Sequence, residues 1–160
     1  MDPGVPVPKT PYAQLSVAAR ETLCGARGRA TFSEVRAEMA EAHRFRYVFT
    51  DPYIPKAPSK TAVDQCGDCK DKALWLASRL GDRTIRFVIG RVRPESRISH
   101  AWLNWQDSAG KWWVLDPTNY SSPIPEKSIK SNGYRPTYSF DGARNYAHGG
   151  ARTTAVGARY

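Results

Sequence analysis

Three cysteines and three histidines are all that this 160-residue chain offers for thiolate, imidazole or metal-thiolate chemistry. The cysteines are Cys24, Cys66 and Cys69, and a small, odd number argues against a disulfide framework. Four ligands at zinc-motif spacing are not present, so no structural metal site is expected. No apolar run approaches the roughly 18 residues that a membrane span needs. Residues Met1 to Pro8 have neither a basic stretch nor an apolar core. They do not read as a secretory signal, and the expected location is cytoplasmic. Internal repeats are lacking too.

What is present suits a globular protein, with 41% hydrophobic and 24% charged residues. The length suggests one domain with room for a core. Net charge is +9, from 24 basic and 15 acidic residues. Residues 126–160 carry six basic and two acidic side chains, a surplus of four. Such a surplus fits an anionic partner or a solvated basic surface. The lack of a compact Lys/Arg cluster favours the second.

The chain reads as an extended arm over residues 1–11, a single domain over 12–148 and a disordered tail over 149–160. Helices are expected over 12–24, about 32–43 and 68–80. The second opens on a capping box, Thr31 with Glu34, and turns Phe32, Val35, Met39 and Ala42 to the core. The third buries Ala73, Leu74, Leu76, Ala77 and Leu80 and stops at Gly81. Residues 44–64 hold three prolines and read as an irregular connection, as do 117–147. Three strands are expected, over 84–92, 99–106 and 111–116, the last two joined by the loop 107–110.

The chemistry concentrates in three places. Cys69 opens the third helix, in Gly67-Asp68-Cys69-Lys70-Asp71. His100 opens a strand, in Ser99-His100-Ala101-Trp102. Asp116 closes the next, in Leu115-Asp116-Pro117-Thr118. At a helix N-terminus, free amides and the helix dipole favour thiolate and face a developing oxyanion. If Gln106 pairs with Lys111, His100 falls opposite Pro117, and a one-residue bulge brings it opposite Asp116. The carboxylate then holds one imidazole nitrogen and leaves the other for sulfur. Trp102 and Asn104 share the face of His100, and the helix at Cys69 is the expected cover for that face. Cys66-x-x-Cys69 also matches a redox dithiol, but residues 57–65 lack the strand that a thioredoxin-like site needs.

These motifs resemble the transglutaminase-like cysteine peptidases of the papain-like superfamily, over about residues 43–120 and more weakly from Tyr134 to His148. The resemblance implies an α+β fold, with the nucleophile-bearing helix packed on a small antiparallel sheet. It implies Cys69 as nucleophile, His100 as base and Asp116 as its orienter. Bacterial members are often peptidases, and some bind calcium through acidic residues flanking the cysteine. Asp68 matches that pattern and Lys70 departs from it, so neither calcium nor any other cofactor is expected. Gln65 is a candidate second oxyanion donor. The reaction implied is acyl transfer through a thioester, on a peptide or protein substrate. Transglutaminase or deamidase chemistry, and a non-catalytic basic binding module, are the alternatives.

Overall fold

The structure, a computed structural model, describes residues 1–131 and 133–149. The expected disorder of the tail therefore falls outside the described residues from 150 onward. In chain order the elements are β1 (Val5–Val7), α1 (Ala13–Cys24), α2 (Phe32–Arg44), β2 (Arg46–Tyr47), α3 (Pro58–Asp64), β3 (Cys66–Gly67), α4 (Cys69–Leu80), β4 (Arg86–Arg91), β5 (His100–Gln106), β6 (Trp112–Leu115), β7 (Ile124–Pro125), α5 (Glu126–Ser131), β8 (Arg135–Phe140) and β9 (Asn145–Ala147). This is an α+β fold: helices lie on an antiparallel sheet of seven strands, ordered β1-β9-β8-β4-β5-β6-β7.

The capping chemistry sets the helix starts. Thr31 and Glu34 form the expected box at α2. Asp68 and Asp71 form an equivalent one at α4, and Gly81 ends that helix in the left-handed conformation at φ 54°. α1, α2 and α4 place Leu15, Val35, Met39, Leu74 and Leu76 against Phe87, Ile89, Leu103, Trp105 and Leu115 of the sheet. Each large apolar side chain so buried contributes about 1.5–3 kcal/mol. Phe32, expected in the core, stays 39% exposed and instead meets the ring of Trp113 edge-on.

Four strands, β2, β7, β8 and β9, lie where irregular chain was expected and β1 lies in the extended arm; prolines in β1, β7 and β8 masked those three. Pro6 and Pro125 sit on the outermost strands β1 and β7, where no further strand needs their missing N–H. Pro136 of β8 pairs with Gly90, beside a bulge at which the β4–β8 register shifts. Gly90 is needed there, because a Cβ would sit 2.2 Å from the Arg135 carbonyl oxygen. The arm is thus a sheet edge, with Val5 paired to Ala147. Residues 44–64 are not wholly irregular either: Pro58 starts α3 at its first turn, where a proline is tolerated.

The β5–β6 register also differs from the expected one. Gln106 pairs with Trp112, not Lys111, and Leu103 with Leu115. A one-residue slip exchanges the faces of a strand. The observed register puts Asp116 on the same face as Trp102 and His100 without the bulge that the expected pairing required. Beyond His100 and Asp116, which lie near the first turns of α4, that shared face turns away from the helix. It carries Val88, Trp102 and Val114 into a second small core with Ile129 of α5 and Tyr134. Among the described residues, no helix is long and apolar enough to cross a membrane.

Candidate active site

Cys69 is the first residue of α4, and only 6% of its surface is exposed. The chain reaches it through a sharp turn. Gln65 ends α3 in the left-handed region at φ 50°, and Cys66–Gly67 then pairs in parallel with Arg46–Tyr47. Gly67 has no room for a side chain, since a Cβ would stand 2.6 Å from that of Asp71. Glycine therefore lets the chain press against the first turn of α4 immediately before the thiol.

His100 is the first residue of β5, directly across from Gly90. Its ring lies nearly parallel to that of Trp102, centroids 6.2 Å apart. Nε2 donates to Asp116 Oδ2 at 2.9 Å, and Cys69 is the other group whose proximity acts on the imidazole. With Nε2 committed to the carboxylate, Nδ1 is the nitrogen left to serve the sulfur. Burial opposes charge on this ring, but the bond to Asp116, the proximity of Cys69 and the negative charge of both outweigh it. The imidazole pKa is pushed up to about 10. The site thus favours the charged form of the ring.

Asp116 is fully buried and saturated with donors. Tyr134 Oη donates to Oδ2 at 2.5 Å and Asn119 Nδ2 to the same oxygen at 2.9 Å. The amides of Thr118 and Asn119 reach Oδ1 at 3.1 and 3.4 Å. Burial alone would raise the carboxyl pKa; the bonds from His100, Tyr134 and Asn119 reverse that and lower it. Burial and the Asp116 charge push the Tyr134 phenol up, so it remains a donor. Lys72, one turn beyond Cys69, is also buried. Its ammonium pKa is lowered by burial and supported by the charge of Asp116.

The fold therefore bonds His100 to Asp116 and brings Cys69 into the neighbourhood of the same imidazole. Gln65 has an exposed side chain. The sequence reading missed Tyr134 and Asn119 as partners of Asp116, and Tyr47 as a neighbour of Cys69. Burial, then the charges of Cys69, Asp68 and Asp71, push the Tyr47 phenol up to about 12. Asn119 carried a signal, since it lies three residues beyond Asp116 in a turn-forming stretch. Tyr134 carried none, because 18 residues separate it from Asp116.

No protein-family model matches the chain, and no curated protein does. Solved structures do. LapG of Legionella pneumophila in its calcium-bound form aligns with a TM-score of 0.60 at 17% identity, over 87% of this chain and 81% of that one. Another LapG structure aligns at 0.57 and 20% identity, and the chain spans 66% of its length. A candidate cysteine protease from Cytophaga hutchinsonii aligns at 0.50 and 17% identity, over 88% of this chain and 48% of that one. The likeness is one of fold: helices on an antiparallel sheet, shared with LapG and with that cysteine protease.

Proposed function

We propose that the chain is a cysteine peptidase or amidase with Cys69 as nucleophile, His100 as base and Asp116 as its orienter. The observation that carries this reading is the imidazole bonded to the buried Asp116 carboxylate, with Cys69 among the neighbours that act on the same ring. A core histidine needs one partner of this kind, whereas a proton-transfer group needs two. The candidate cysteine protease on the same fold supports it.

In the proposed reaction His100 Nδ1 takes the thiol proton, and the sulfur attacks the amide carbonyl carbon. In the first turn of α4 the Asp71 amide is held by the Asp68 cap, and the amides ahead of it, at Cys69 and Lys70, donate to the oxyanion. The imidazolium protonates the leaving amine as the C–N bond breaks, which leaves a thioester on Cys69. Water, deprotonated by His100, then hydrolyses the thioester and restores the thiol. Asp116 stays ionised throughout and fixes the ring.

Some members of the family that the sequence resembles hold calcium through acidic residues beside the nucleophile, and one LapG structure is calcium-bound. The residues here do not fit that ion, because the Lys70 ammonium stands against the Asp68 and Asp71 carboxylates. No step is routed through a metal.

The test is incubation with peptide, protein and peptidoglycan mixtures, read by mass spectrometry against Cys69→Ala. New termini that depend on Cys69 are expected. A deamidation shift without cleavage would assign glutamine chemistry instead. No Cys69-dependent product of either kind would leave a binding module on this fold.

A further inference from the structure

Lys70 is 1% exposed, next to the nucleophile, in a position where a helix normally shows its polar side chains to water. Its ammonium lies 2.5 Å from Asp68 Oδ2, 2.8 Å from the Thr50 hydroxyl and 3.9 Å from Asp71 Oδ1. These partners are themselves tied together. Thr50 Oγ1 is 2.9 Å from Asp68 Oδ2 and 3.0 Å from Asp71 Oδ2, and Asp71 Oδ1 accepts from the Lys56 amide at 2.8 Å. A frame of hard oxygens thus clamps the 50–56 loop onto the first turn of α4. Two buried carboxylates this close need a cation, since each raises the cost of charge on the other.

We propose that Lys70 is the built-in cation of this frame and a positioning residue for Cys69. Its ammonium neutralises the Asp68–Asp71 pair without any dissociable ion, so assembly of the nucleophile's helix start is independent of divalent metal. Among the described residues, no group of three or more His, Cys, Asp or Glu is placed to hold a metal. A carboxylate in place of Lys70 completes such a group around the same space, a donor set that suits calcium.

The experiment compares the intact protein with Lys70→Met and Lys70→Glu, each in EGTA and in calcium chloride. The readouts are melting temperature and the iodoacetamide rate at Cys69, by peptide mapping. Neither needs peptide cleavage, so this idea and the proposed function fail separately. The unsubstituted protein should give the same values in both media. Lys70→Met keeps the volume and loses the charge. It should melt roughly 10 °C lower and alkylate roughly tenfold more slowly, in both media alike. Lys70→Glu should fall as far in EGTA and regain at least half of both losses in calcium. A methionine variant equal to the parent would overturn the proposal, as would calcium stabilisation of the parent. A foldable Lys70→Glu protein indifferent to calcium would overturn the frame as a cation site. If that variant does not fold, the other two proteins decide.

Discussion

His100 is where charge, geometry and reactivity meet, and its two partners make different predictions. His100→Ala removes the base and the cation beside sulfur. It should abolish turnover and slow alkylation of Cys69 at neutral pH. Asp116→Asn leaves the imidazole in place, so alkylation should suffer less while turnover still drops through lost tautomer control. The double variant should be no slower than His100→Ala, because residues that act as one unit are non-additive. Losses that multiply would mean that Asp116 does not work through His100.

The same pair sets a pH dependence of stability. The folded-state pKa of His100 is raised from 6.5 to about 10. Its stabilisation is therefore whole below pH 6.5 and is lost as pH rises through about 10. Asp116 is lowered from 3.8, so its share is present above that pH and disappears as pH falls through the lower folded value. Melting temperatures of the native protein should decline from pH 7 toward 10 more steeply than those of His100→Ala. Parallel curves would sink this assignment. Tyr134→Phe keeps the ring against Trp102 and removes a donor to a buried carboxylate. It should cost about 1–3 kcal/mol by denaturant unfolding. A neutral result would show that Asn119 and the loop amides hold Asp116 without the phenol.

At the scale of elements, α4 combines two roles in one turn. Asp68 and Asp71 cap the helix and also anchor Thr50 and Lys56, so the groups that begin the helix fix the walls around the thiol. The approach of β3 to that turn depends on Gly67. Gly67→Ala should lower the melting temperature and slow Cys69 alkylation together, because the new Cβ displaces Asp71. Gly90→Ala should cost more stability still, since its Cβ meets backbone oxygen and not a side chain that can move. Equal melting temperatures for both variants would contradict that ordering. The helix starts were legible in the sequence because capping is local: Thr31 to Glu34 spans one turn. The minor strands were not, because a proline reads as a break until its neighbours show that it lies on an edge.

At the scale of the whole molecule, the N-terminal residues close the sheet. β1 pairs with β9 along all three of its residues, and the Pro3 carbonyl accepts from the Arg86 guanidinium. Removal of residues 1–8 exposes the β9 edge on the side of the sheet opposite β6. Thermal stability should fall while the Cys69 alkylation rate stays near that of the intact chain. A large loss of thiol reactivity in a folded truncated protein would show that the arm supports the site.

The sequence by itself determined the local chemistry: the capped helix beginning at Cys69, the strand that opens at His100, and Asp116 at the end of the next. Those are contacts within a turn or a hairpin, and residue type with short spacing specifies them. It also suggested Cys69, His100 and Asp116 as a group from their order and flanking residues, the grouping on which the proposed function rests. Only the tertiary structure decided the register, because Lys111 and Trp112 can each follow the 107–110 loop into pairing, and one residue exchanges the faces. Only it showed that the face of Trp102 and Val114 meets Tyr134 and α5 while α4 covers the other side. And only it could place Lys70, exposed on any helical wheel, as a buried ammonium between carboxylates, because the loop that shuts it from water arrives from 20 residues earlier.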